Sequence, residues 1–198
     1  VEADVVPDPA EPGGAQIGAA IVSHPETAGV AFTGSTNAAR AIARALADKD
    51  GPIVPLIAET GGQNGMIVDS TALPEQVVDD VMSSAFGSAG QRCSALRVLC
   101  LQKDIAPGII EMLGGAMQTL RLGDPARLST DIGPVIDEDA LARLTHHITV
   151  LGASGRKVAQ VPMPAGLEAR GHFLAPSAWV IPDLSVLRGE VFGPVLHI

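Results

Sequence analysis

Tyrosine is missing from this chain and aromatic residues make up only 3% of it. Any core must therefore be assembled from Ala, Val, Ile and Leu rather than from large rings. Cysteine is nearly absent too: Cys93 and Cys100 are the only two. They lie too close along a loop-then-strand segment to form a disulfide framework, and such sparseness fits a reducing cytoplasm. Positive charge is scarce, since 13 Lys and Arg against 22 Asp and Glu leave a formal net charge of −9. Without a Lys/Arg cluster, nucleic acid and anionic membrane surfaces are not expected partners. No apolar run reaches the ~18 residues that a membrane-spanning helix needs. The opening stretch, Val1–Ala20, carries acids where a secretory leader would carry bases.

What is present is the composition of a globular protein, 46% hydrophobic and 18% charged, with 22 Gly and 15 Pro punctuating many short elements. A chain of 198 residues can bury roughly 70% of its unfolded surface. It starts at Val1 and stops at Ile198 inside the apolar run Val195-Leu196-His197-Ile198, which reads as the start of a strand. The expectation is a piece of a longer polypeptide.

Apolar spacing sets out the elements. Residues 1–14 read as a Pro/Gly-rich entry. Helical spacing follows over Ala15–His24, a buried strand over Ala28–Thr33, and an alanine-rich helix over Thr36–Asp48 capped by Ser35 or Thr36. A second buried strand, Ile53–Ala58, runs into Glu59, and a third covers Gly65–Val68. A helix from Pro74 to Phe86, a loop over Gly87–Ala95 and a strand over Arg97–Leu101 come next. Helices near Ala106–Leu120, interrupted at Gly114-Gly115, and over Glu138–Leu151 precede strands near Lys157–Val161 and Phe173–Ile181. Strands alternating with helices predict an α/β fold with a mostly parallel sheet covered on both faces.

Two glycine-hinged segments carry chemistry. Glu59-Thr-Gly-Gly places a carboxylate at the end of an apolar strand, an expensive position unless it faces a wet pocket. Gly90-Gln-Arg-Cys93-Ser places a thiol in a loop. Cysteine is the strongest ready-made nucleophile among side chains, although a lone Cys is more often a small buried hydrophobe. A thiol can attack an electrophilic carbon, and a carboxylate can deprotonate the water that releases the product. Phe32-Thr33-Gly34-Ser35-Thr36 is a strand, a glycine and hydroxyls opening a helix, an ordinary capped start that also suits a phosphate. Glu190-Val-Phe192-Gly193-Pro194 by itself reads as a charged turn before a strand. The five histidines form no metal-ligand set, and the adjacent His146 and His147 read as surface residues. Cys100 reads as a core position. A cysteine hydrolase would require a histidine beside Cys93, and none lies in a matching motif.

Taken together, Glu59-Thr-Gly-Gly-Gln-Asn64 and Phe86-Gly-Ser-Ala-Gly90-Gln-Arg-Cys93-Ser-Ala-Leu-Arg97 resemble the signatures of the NAD(P)-dependent aldehyde dehydrogenases. Leu122-Gly-Asp-Pro125, Ile132-Gly-Pro134 and Gly171-His-Phe173 extend the resemblance from about Ala28 to Ile198. It implies Cys93 as nucleophile and Glu59 as general base. Gly34 and Ser35 would touch the cofactor pyrophosphate, Glu190 the nicotinamide ribose hydroxyls and Phe192 the nicotinamide. The cofactor implied is NAD, with NADP also used in the family. The backbone N–H of Cys93 would be one oxyanion donor; the other, an Asn in the family, precedes Val1. A Rossmann-like cofactor domain would end over residues 1–60, and a catalytic domain would begin over 61–198, in a three-layer αβα arrangement.

The wording around Glu59 and Cys93 is similar to the L-glutamate γ-semialdehyde (1-pyrroline-5-carboxylate) dehydrogenases, including the domain of that kind in bacterial bifunctional proline-utilisation flavoproteins. In that group the Ser after the nucleophile contacts the substrate carboxylate, which makes Ser94 the expected substrate-binding residue. A flavin belongs to the proline dehydrogenase half, which these residues do not represent. The parent is expected to be a cytoplasmic homo-oligomer acting on a small aldehyde. Two alternatives stand beside this: a dehydrogenase for another small aldehyde, and an inert segment that lacks parts the activity needs.

Overall fold

A computed structural model of the chain describes residues 14–198; the Pro/Gly-rich entry expected over residues 1–14 lies almost wholly outside them. The described chain forms two compact units that divide between Gly61 and Gly62.

The first unit is small. Helix α1 (Gly14–Ser23) precedes strand β1 (Val30–Gly34), helix α2 (Thr36–Ala47) and strand β2 (Leu56–Thr60). β1 and β2 pair in parallel, with Thr33 opposite Glu59 and Gly34 opposite Thr60. This is a βαβ unit, and α2 packs on both strands. The amphipathic spacing predicted for α2 is realised, with Ala39 and Leu46 buried. The strands are less buried than their apolar composition predicts: Ile53, just before β2, is 99% exposed and Ile57 within it is also exposed. Within this unit α2 packs on the pair, and Ile57 is left exposed.

The second unit holds the main core. Its five-stranded sheet runs in the order β3-β4-β7-β6-β5, from β3 (Gly65–Val68), β4 (Val98–Leu101), β5 (Arg156–Gln160), β6 (Ser177–Val180) and β7 (Val195–His197). Four strands are parallel, and β5 joins the edge antiparallel to β6. Helices α3 (Pro74–Val81), α4 (Ala106–Met117) and α5 (Glu138–Ser154) bury Val77, Val78, Val81, Ile109, Leu113, Met117, Leu144 and Leu151 in one cluster with the sheet. As the composition requires, few rings enter that cluster: Phe86, Phe173 and Trp179.

Several readings differ from expectation: β2 starts at Leu56 rather than Ile53, and the helix expected to reach Phe86 leaves α-helical geometry after Val81. α4 runs unbroken through Gly114-Gly115, with Gly114 facing Val158 and Ala159 of β5. The strand expected over Phe173–Ile181 narrows to β6, since Phe173–Pro176 approach it as buried extended chain. Cys100 is exposed, not core. Its register partner Ile67 is 88% exposed on the same face of the sheet, which no described element covers there.

Candidate active site

The segment before Cys93 departs from regular helix in steps. α3 passes at Met82 into a π-helical turn, Met82–Phe86, and then a tight turn, Gly87–Gly90. Such π turns are rare inside helices and lie frequently at functional sites. Ser88 (φ 56), Ala89 (φ 53) and Gly90 (φ 65) are left-handed in succession, a conformation that costs a non-glycine residue on the order of 1–2 kcal/mol. Gly90 has no alternative. A Cβ there would lie 2.6 Å from the Gly193 carbonyl carbon and 2.8 Å from the Ala85 oxygen.

Long-range hydrogen bonds hold this turn. The Asn64 side-chain amide, just ahead of β3, donates to the Cys93 carbonyl at 2.7 Å and the Ala95 carbonyl at 2.9 Å, holding the carbonyls of the two residues that flank Ser94. Gln91 accepts from the Ile136 N–H at 2.8 Å and donates to the Pro134 carbonyl at 3.3 Å. Arg92 donates to the Ser83 carbonyl at 3.0 Å, and the Leu96 N–H donates to the Ser84 hydroxyl at 3.1 Å. Cys93 and Ser94, at the centre of these anchors, are exposed. The Cys93 N–H meets no acceptor among the described residues.

Beside the turn, Arg97 is wholly buried and donates to the Gly90, Arg92 and Gly193 carbonyls and to Glu190. Burial pushes its pKa down from the ordinary value while the Glu190 carboxylate pushes it back up; a guanidinium stays protonated throughout. Glu190 and Phe192 thus lie next to the Cys93 turn, with the Phe192 ring 42% exposed and 5.3 Å from the Arg97 guanidinium carbon.

A second polar chain leaves from the same residue. The Arg97 carbonyl accepts from His197 Nδ1 at 2.9 Å, and His197 Nε2 lies 2.9 Å from His147 Nε2. A carbonyl can only accept, so Nδ1 of His197 carries the proton and His147 donates between the rings. His197 is fully buried and its pKa is pushed down to about 4, chiefly by burial. His147 is half-buried and also lowered, by burial and then by His146. The expectation of surface residues holds for His146, which is exposed, and fails for the half-buried His147. Among the described residues, no three His, Cys, Asp or Glu side chains cluster to hold a metal ion, and no helix is long and apolar enough to cross a membrane.

On the first unit, Glu59 is exposed in β2, near the carboxyl end of the parallel pair where Gly34 closes β1. Ser35 caps α2: its Oγ accepts from the Ala38 N–H at 3.2 Å. The first N–H groups of an α-helix have no partner within the helix, which suits a phosphate. Each named residue keeps an exposed surface, while Asn64, Gln91 and Arg97 are functional neighbours that sequence reasoning missed. Arg97 had a readable signal, a charge set between Leu96 and Val98 in a run that otherwise reads as buried strand.

This fold, with a thiol turn and a Glu-x-Phe-Gly-Pro segment side by side, has matches among known proteins. The model of the aldehyde dehydrogenase family matches residues 5–198. The chain belongs to the aldehyde dehydrogenase family. It is 52% identical over 192 residues to the bifunctional protein PutA of Escherichia coli (strain K12), covering 93% of this chain and 14% of that protein. It is 34% identical over 188 residues to 1-pyrroline-5-carboxylate dehydrogenase of Geobacillus sp. (strain WCH70), covering 92% of this chain and 36% of that enzyme. Among solved structures, a mutant of Bradyrhizobium japonicum proline utilization A superposes with a TM-score of 0.87 at 55% identity, covering 92% of this chain and 18% of that one. The chain thus spans about a seventh of the length of the PutA relatives it matches.

Proposed function

We propose that this chain is part of an NAD-dependent enzyme that oxidises L-glutamate γ-semialdehyde to L-glutamate. Residues 1–60 contribute to the cofactor domain and 61–198 to the catalytic domain. The observation that carries the reading is Cys93, an exposed thiol on a turn whose own carbonyl and that of Ala95 are both held by Asn64. The relatives named for 1-pyrroline-5-carboxylate dehydrogenase and for the bifunctional protein PutA support the choice of substrate.

In this reading the Cys93 thiolate attacks the aldehyde carbon and forms a thiohemiacetal. The Cys93 N–H, which has no acceptor among the described residues, donates to the developing oxyanion. The residues of each unit suit part of a dinucleotide: on the first, the α2 N-terminus beside Gly34 and Ser35 would receive phosphate; on the second, Glu190 and Phe192 offer an acceptor and a ring face for a ribose and a nicotinamide. When bound, the nicotinamide supplies the hydride acceptor that turns the thiohemiacetal into a Cys93 thioester. Glu59 deprotonates the water that attacks the thioester carbonyl, expelling the thiolate and leaving a carboxylic acid. Ser94 orients the substrate's own carboxylate.

The test is NADH formation from γ-semialdehyde by the full-length protein. Cys93→Ala should abolish it. Glu59→Gln should leave a single burst of NADH while steady turnover falls by about 10²–10⁴. An active Cys93→Ala enzyme would sink the reading.

A further inference from the structure

Arg97 is the single buried cation of the second unit's described core, and its hydrogen bonds divide evenly. Each terminal guanidinium nitrogen has two N–H groups. Nη1 reaches the Gly90 carbonyl at 2.6 Å and the Gly193 carbonyl at 3.3 Å. Nη2 reaches the Arg92 carbonyl at 3.1 Å and Glu190 Oε1 at 3.3 Å. Gly90 and Arg92 belong to the turn that presents Cys93; Gly193 and Glu190 belong to the segment that presents Phe192. Both nitrogens therefore bridge the same two segments, and the Phe192 ring lies against the guanidinium. The cost is visible as well. Arg97 Nε is buried without a partner, and an unpaired buried polar group is tolerated only where the rest of the geometry offsets it.

We propose that Arg97 is a positioning residue, a rigid fork that fixes the distance between the nucleophile turn and the Glu190–Gly193 segment. The inference rests on the reading of Cys93 as nucleophile and of Glu190 and Phe192 as cofactor contacts. Hydride transfer needs the reacting atoms about 3–3.5 Å apart, so the spacing of these segments enters the rate directly. A planar guanidinium can hold four acceptors in one fixed pattern. An ammonium, with three donors on one rotating nitrogen, cannot. Backbone contact reinforces the fork, because Gly90 and Gly193 meet without room for a Cβ. Glu190 uses only Oε1 on Arg97, so Oε2 stays free to accept from a sugar hydroxyl. The same nitrogen that orients Glu190 also holds the carbonyl one residue before Cys93, so a change at either end is felt at the other.

The experiment uses the full-length enzyme with Arg97→Lys and Glu190→Ala, and reads three quantities. These are NAD affinity, kcat for γ-semialdehyde, and the iodoacetamide alkylation rate of Cys93 without NAD, followed on its own peptide by mass spectrometry. Arg97→Lys with a native circular dichroism spectrum should lose about 10²-fold in kcat and weaken NAD binding. Its Cys93 alkylation rate should also shift severalfold. If the lysine variant lowers only the melting temperature, with kcat and alkylation of the folded enzyme unchanged, the proposal is overturned. If it does not fold, Glu190→Ala decides, since it leaves Arg97 in place and alters a side chain that still reaches solvent. Alkylation of Cys93 should then still shift in the NAD-free enzyme, and an unchanged rate overturns the fork. Failure of the underlying reading looks different: Cys93→Ala would keep turning over, whatever the alkylation rates show.

Discussion

The start of α2 at Ser35 and the turn at Cys93 are both glycine-led steps from one element into the next, yet they are held in opposite ways. Ser35 needs nothing beyond its own helix, because its hydroxyl accepts from an N–H three residues along. The Cys93 turn depends on partners far away in sequence. Asn64 lies 29 residues from Cys93, Pro134 lies 43 from Gln91, and Gly193 lies 96 from Arg97. Local bonding makes an element that forms wherever its sequence is placed. Long-range bonding makes a geometry that exists only when the whole unit is folded, and it can hold residues where they would not settle alone. Ser88 and Ala89, both left-handed, are such residues.

The contrast can be broken most severely at Gly90. Gly90→Ala adds a Cβ against the Gly193 backbone at a φ of +65. It should destabilise the second unit by about 3 kcal/mol or more, read as a lowered denaturation midpoint. A mild effect would show that the Gly90–Gly193 approach is not needed.

Next comes pH. A histidine with a pKa of about 4 when folded, against ~6.5 unfolded, is neutral in the native core and binds its proton on unfolding. Its contribution is fully present above pH ~6.5 and is lost as pH falls toward 4, on the order of 3 kcal/mol in all. His197→Gln should flatten that acid limb in urea melts taken across this range. An unchanged limb would mean that the His147–His197 pair does not govern it. The smallest effect belongs to the local step. Ser35→Ala should cost about 1 kcal/mol and Ser35→Gly only a few tenths, with NAD affinity as the second readout.

This division also explains what could be read in advance. The capped start of α2 and the starts of α3 at Pro74 and of α5 at Glu138 follow from neighbours within four residues, and their spacing predicts them. Resemblance, not spacing, singled out Cys93, Glu59, Glu190 and Phe192. The antiparallel seat of β5 and the burial of His197 depend on which strands become neighbours, and no local pattern carries that. Nor does local pattern reveal whether a strand face will be covered. Ile57 and Cys100 both read as core from composition and both prove open.

That open position has a practical consequence. Cys100, the chain's other thiol, lies on a solvent-facing strand surface, so a colorimetric count of accessible sulfhydryls would report two groups, only one of them on the turn. A Cys100→Ser background turns that sum into a measurement of a single sulfur. Ser is close enough in size to leave the strand pairing with Ile67 in place.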